Sequence, residues 1–120
     1  MHEMGIANSV LEAVRVEAAR VPGSSPRKVG VRIGTLTALD PSSLQFCFEA
    51  LTHETDLEGL EMQIEMCPVR RRCGDCGSEF EVKDYELECP RCQSIRGEFI
   101  SGEELELAYL EVEENGKTAH

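Results

Sequence analysis

Tryptophan is absent, and the only aromatic residues are four phenylalanines and two tyrosines in 120 positions. Any core must therefore be built mainly from aliphatic side chains. Leu, Ile, Val and Phe together make up about a quarter of the chain, which lies above the range of disordered sequences. The length suits one compact domain, or one small domain with an appendage. Basic residues are scarce: 12 Lys and Arg stand against 23 Asp and Glu, a formal charge of -11. That charge repels phosphate backbones and anionic lipid, so neither nucleic acid nor a membrane surface is an expected partner. No run of 18 apolar residues occurs, and the first 30 positions lack the basic stretch and apolar block of a secretory signal. The expected location is the cytoplasm. With only His2, His53 and His120 available, a Ser-His-Asp triad has little material, and no enzymatic activity is expected. No internal repeat or low-complexity tract stands out.

What is present divides by periodicity. From Met4 to Arg20, apolar residues at Ile6, Val10, Ala13, Val14, Ala18 and Val21 recur at three- and four-residue steps, predicting a helix that ends at Pro22 and Gly23. Between Arg27 and Thr37 the period becomes two, with Val29, Val31, Ile33 and Thr35 on one face and Lys28, Arg32 and glycines on the other. This predicts a strand with one covered face. Asp40 before Pro41 marks a second helix start, in which the carboxylate receives backbone N-H groups, and Leu44, Phe48 and Leu51 supply its apolar stripe to about Glu54. A second strand is expected at 60–66, with Leu60, Met62, Ile64 and Met66 alternating against acidic and amide residues. A third is expected from Leu105, with a bulge or strand end where Leu110 and Val112 shift phase. The expected architecture is α/β: a small mixed three-stranded sheet with two helices, plus an inserted zinc-ribbon-like lobe. The corresponding segments are an α/β domain at 1–69, the lobe at 70–99, and a closing strand at 100–120.

Six cysteines in a reducing compartment point to metal ligands or buried thiols. Four form two pairs, Cys73/Cys76 and Cys89/Cys92, with 12 residues between the pairs. Each two-residue spacer lets one tight turn aim two sulfurs at one ion, and a hairpin brings the second turn opposite the first. A closed tetrahedral four-thiolate site suits Zn(II) in a structural role, with rubredoxin-type iron and thiol redox chemistry as alternatives. The segment around the pairs has too few large apolar residues to fold unaided. Arg70, Arg71 and Arg72 are expected to balance the anionic cluster or to meet an acidic protein partner. Cys47, among Phe46, Phe48 and Leu51, reads as a buried small hydrophobe; Cys67 has no assigned role. His53 reads as a capping or surface residue.

The opening Met1-His2-Glu3 offers a second and different donor set. The terminal amine, the His2 amide nitrogen and the His2 ring nitrogen form fused chelate rings around one ion, a planar nitrogen arrangement that suits Ni(II) or Cu(II) better than Zn(II). Glu3 adds an amide nitrogen, a carboxylate or a partner contact. Binding displaces protons, so affinity is expected to fall with pH.

Met1-His2-Glu3, the Leu44 to Phe48 segment after Asp40 and Pro41, and the paired Cys73/Cys76 and Cys89/Cys92 turns together resemble the HypA family of hydrogenase maturation nickel chaperones, over essentially the whole chain. The resemblance implies that His2 is the essential nickel ligand, that the four paired cysteines hold structural zinc, and that nickel is delivered with the GTPase HypB to the large subunit of [NiFe] hydrogenase. It also implies urease maturation as a further destination in some relatives, and Asp40 as a candidate additional carboxylate ligand. Several relatives place histidines beside their CxxC pairs, whereas Gly77 and Gln93 stand there in this chain. An alternative function, read from the cysteines alone, is a zinc-ribbon adaptor without nickel transfer.

Overall fold

The computed structural model describes residues 3–114. The element order is α1 (Glu3–Ala18), β1 (Ser24–Gly34), a 3-10 turn (Thr35–Thr37), α2 (Pro41–Thr52), β2 (Glu61–Cys67), β3 (Arg70–Cys73), β4 (Glu79–Glu81), β5 (Gly97–Ser101) and β6 (Leu105–Glu114). Two three-stranded sheets result, ordered β2-β1-β6 and β4-β3-β5. The chain divides into two compact units, and β1, β2 and β6 each pass from one unit into the other.

The first unit comprises residues up to Arg32, Leu39–Glu65 and the chain from Glu106. Its core is aliphatic, with Phe48 the largest enclosed side chain. In α1 the buried residues are Ala7, Val10, Leu11 and Val14; the expected Val10 and Val14 lie at the centre of that stripe, while Ile6, Ala13 and Ala18 are half-buried along its margins. The helix stops at Ala18, so Val21 lies beyond it and is exposed. Glu3 in the first turn and Arg15 in the last complement the helix dipole. Helix α2 packs against α1 and buries Leu44, Phe48 and Thr52. The buried Thr52 hydroxyl is satisfied by donating to the Phe48 carbonyl, 3.0 Å away.

Strand β1 occupies the centre of its sheet, and its expected solvent face is covered. A Cβ on Gly30 would lie 2.1 Å from the Tyr109 ring, and the Tyr109 hydroxyl donates to Gln63 of β2 at 2.8 Å. The tyrosine of one edge strand thus crosses the central strand to reach the other, and only glycine leaves room beneath it. Strand β1 ends at Gly34, with Thr35–Thr37 turning into 3-10 helix. Strand β2 buries Met62 and then Cys67, leaving Met66 exposed, so the expected alternation slips near its end. Strand β6 runs unbroken to Glu114. The phase change near Leu110 is a shift in burial and not an end.

The second unit comprises Ile33–Ala38 and Met66–Leu105. Its sheet has β3 at the centre, antiparallel to both neighbours. The arginine run is this central strand; where the sequence suggested charges balancing the sulfur cluster or meeting an acidic partner, Arg71 and Arg72 are engaged within the sheet itself. Arg72 sits directly between Glu79 and Glu98 in the ladder and binds both, at 3.0 and 2.9 Å. Such opposite-charge cross-strand pairs favour the register. Arg71 is buried: its guanidinium lies 4.9 Å from the Phe99 ring centroid and donates to the Ile95 carbonyl at 2.9 Å. Within 70–101 the only fully buried side chains are Arg71, Cys73 and Cys89. The unit has no aliphatic centre in that span.

Candidate metal centre

Each cysteine pair lies on a tight knuckle, and the two knuckles are built alike. In the first, Gly77 N-H donates to the Cys73 carbonyl at 3.1 Å and Cys73 N-H to the Ser78 carbonyl at 2.8 Å. In the second, Gln93 N-H donates to the Cys89 carbonyl at 2.8 Å and Cys89 N-H to the Ser94 carbonyl at 2.9 Å. Gly77 and Gln93 occupy equivalent left-handed positions, with φ of 78° and 64°. Glycine takes that conformation freely, and Gln93 holds it at some backbone cost. The two segments, 73–78 and 89–94, share the pattern Cys-x-x-Cys-x-Ser. This six-residue repeat is visible in the sequence and is far shorter than a structural repeat unit.

The knuckles bring all four Sγ atoms within 4.8 Å of one another. Cys73 and Cys92 approach to 3.5 Å and Cys76 and Cys89 to 3.6 Å. A tetrahedron with Zn–S bonds of about 2.3 Å has edges of about 3.8 Å, so the cluster has the dimensions of a zinc site. Backbone amides supply the surrounding polarity: Asp75 and Cys76 N-H both point at Cys73 Sγ at 3.4 Å, and Arg91 N-H at Cys89 Sγ at 3.4 Å. Such donors stabilise thiolate and fix ligand orientation. Cys73 and Cys89 are buried while Cys76 and Cys92 reach the surface. Asp75 ties the knuckles together, accepting from the Ser94 hydroxyl and, at 3.0 Å, from Arg96.

The electrostatics of the sulfurs calls for a cation. The amides of Cys76 and Asp75 hold the Cys73 thiol below its ordinary range. The Ser78 hydroxyl, followed by its amide, draws Cys76 down to about 6. The Ser94 amide favours the thiolate of Cys92, yet Cys73, desolvation, Cys76 and Cys89 together push that thiol up to about 12. Packed sulfurs without an ion cannot all ionise, because like charges this close oppose one another. A divalent cation removes the conflict. Four thiolates then fill its shell, which makes the site closed and structural.

At the amino end, His2 lies outside the described residues. Glu3 begins α1, and its carboxylate accepts the Asp40 N-H at 3.2 Å, which holds it below the usual glutamate range. Asp40 is the N-cap residue of α2, but its carboxylate makes no cap bond to the backbone. It receives the Ser43 hydroxyl at 2.7 Å instead, the first cause of its lowered pKa. The start of α1 is thereby bonded to the start of α2, and a carboxylate from each lies at that junction. Cys47 is half-buried and its neighbour Phe46 is exposed, so the fully buried environment expected for Cys47 is not formed; Cys67 is buried. His53 is exposed at the C-cap of α2, with Nδ1 3.0 Å from Glu58.

An α/β unit and a unit built around four clustered cysteines define a small two-unit protein with a four-sulfur metal site. The family described as hydrogenase/urease nickel incorporation, metallochaperone, HypA matches residues 1–112, and the chain belongs to that family. It is 39% identical over 117 residues to the hydrogenase maturation factor HypA of Pelodictyon phaeoclathratiforme, covering 98% of this chain and 100% of the relative. The Geobacter metallireducens factor of the same name is 42% identical, covering 94% and 100%. Among solved structures, the Ni metallochaperone HypA from Helicobacter pylori superposes with a TM-score of 0.65 at 26% identity, covering 92% of this chain and 97% of that one. A second HypA solution structure gives a TM-score of 0.70 at 26% identity, covering 94% and 97%. No described helix is long and apolar enough to cross a membrane.

Proposed function

We propose that this chain carries Ni(II) at its amino terminus and passes it on for [NiFe] hydrogenase maturation, while Zn(II) on Cys73, Cys76, Cys89 and Cys92 shapes the second unit. The observation that supports this most directly is the Glu3–Asp40 bond. It anchors the residue next to His2, so a chelate formed by the terminal amine, the His2 amide and the His2 ring sits on a fixed helix start. In this reading His2 is the essential nickel ligand. Glu3 contributes through its backbone nitrogen while its carboxylate positions the terminus, and Asp40 helps through its amide. Nickel is cargo here and no reaction is catalysed. The GTPase HypB and the hydrogenase large subunit are the proposed partners, with urease maturation factors as a second destination, in a reducing cytoplasm where the thiols stay available to metal.

The test is a calorimetric nickel titration of untagged protein beside His2→Ala and a form extended at the amino terminus. Both altered forms are expected to lose nickel binding, keep about one zinc per chain and keep the fold. Wild-type binding is expected to weaken as pH falls, because amine, amide and imidazole must each lose a proton to coordinate. Undiminished nickel affinity in His2→Ala rejects the assignment.

A further inference from the structure

We infer that the outer edge of β6 is a docking site for an extended segment of a partner protein, one that alternates apolar with basic residues and adds a fourth strand to the first sheet. This goes beyond the nickel reading and does not depend on it. The sheet order leaves two edges, β2 and β6. On β2, the Gln45 side chain of α2 donates to the Met62 carbonyl at 2.6 Å, so part of that strand's backbone is already engaged by a side chain. Strand β6 is the other edge, with β1 as its one neighbour in the sheet. At 10 residues, β6 is long for an edge strand. Edges are ordinarily blunted by charged side chains, lysine especially, by proline or by brevity; Leu-Glu-Leu-Ala-Tyr-Leu-Glu-Val-Glu-Glu is long, lacks lysine and proline, and carries charge of one sign only, on its four glutamates.

The ground beside the edge is shaped for side chains. A groove of about 530 Å³ runs between α1 and β6, lined by Ala13, Glu17 and Arg20 on the helix and Leu107, Leu110 and Val112 on the strand. An added strand presents every second side chain toward one face, so its apolar set enters this groove while the alternate set meets the other face. Strand β6 carries Glu106, Glu111, Glu113 and Glu114 and no basic residue. Glu106 and Glu113 are partly offset by Arg32 and Arg27 of β1, but the whole chain stands at -11. A basic strand is therefore attracted. A second copy is not: an antiparallel pair centred between Tyr109 and Leu110 sets Glu106 opposite Glu113 twice, and like charges directly opposite are destabilising.

The experiment uses zinc-loaded, isotope-labelled full-length chain and a short synthetic peptide alternating valine and lysine, followed by amide NMR and hydrogen exchange at low salt. Three comparisons accompany it: the same peptide with N-methylated backbone amides, a version with glutamate for lysine, and the protein variant Ala108→Pro. The expected result is chemical-shift change and new exchange protection at 105–113. Loss of the ladder should weaken binding by about tenfold or more, both for the N-methylated peptide and for Ala108→Pro. The glutamate peptide should not bind. Should Ala108→Pro fail to fold, the N-methylated peptide still decides the matter on unaltered protein. Equal binding of the N-methylated peptide means charge attraction without strand addition and overturns the proposal. So does shift change confined to other residues, binding of the glutamate peptide, or a concentration-dependent dimer that uses the same edge.

Discussion

The two units of this chain reach order by opposite routes. The first encloses Val14, Val29, Val31, Leu44 and Phe48 almost completely, so its stability comes from apolar area removed from water. Within 70–101 the second encloses two cysteines and one arginine. It organises itself through knuckle amides, cross-strand ion pairs and a sulfur cluster that is electrostatically frustrated until a cation enters. Small lobes with sparse apolar content ordinarily need such a staple. One region is held by apolar packing, and the other, across 70–101, by knuckle bonds, cross-strand ion pairs and its sulfur cluster.

The largest expected effect separates the two regions outright. Removing zinc with a chelator, or replacing the buried ligand by Cys89→Ser, should collapse the amide dispersion of 70–101 while the signals of α1 and α2 stay in place. Structural zinc supplies on the order of 10–16 kcal/mol in small zinc-binding peptides, more than this lobe could replace. A lobe that remained dispersed after verified metal loss would mean that the arginine-centred sheet suffices by itself, and the contrast would dissolve.

The converse experiment addresses the aliphatic side. Phe48→Ala removes the largest enclosed side chain of the first unit and should cost about 3–5 kcal/mol, read as a lowered denaturation midpoint. Zinc content should stay at about one ion per chain. Zinc loss in this variant would show that the two routes are coupled.

The smallest effect concerns a surface pair. Arg15 binds Asp56 through both oxygens at 3.0 Å, and that bond is the first cause of the depressed Asp56 pKa. A carboxylate whose pKa is lower in the folded state adds stability above its unfolded pKa and loses it as pH falls through the folded one. Asp56→Asn should therefore lower the melting temperature by about a degree or less near neutrality, since exposed ion pairs contribute little. The difference from wild type should vanish below the ordinary aspartate range. A difference that persists there would place the effect of Asp56 outside its charge.

Much of the metal cluster was legible because its information is local. Two residues between cysteines determine a knuckle, and the spacing between knuckles permits a hairpin; neither depends on distant parts of the chain. The helices and the strands of the first sheet were also legible from periodicity, to within a few residues at their ends. The arginine run was not, since three consecutive cations resemble a solvated patch until Glu79, Glu98 and Phe99 are brought beside them from later in the chain. The burial of Arg71 follows from those partners and from nothing in its own neighbourhood.

The glycines show the same boundary from the other side. Gly34 lies so close to the Gly102 carbonyl group that a Cβ there would sit 2.0 Å from its carbon, and Gly30 lies under Tyr109 from a strand some 80 positions away. No periodicity announces either approach. Residue spacing by itself determined the thiolate quartet, the two helices and the alternating strands, because each rests on interactions within a few bonds or turns. Tertiary structure alone decided the central place of β1, the burial of Arg71, the pairing of Arg72 with Glu79 and Glu98, the bond from Glu3 to Asp40 and the edge position of β6. Each of these depends on which distant segments meet, and that choice belongs to the free energy of the whole packed chain.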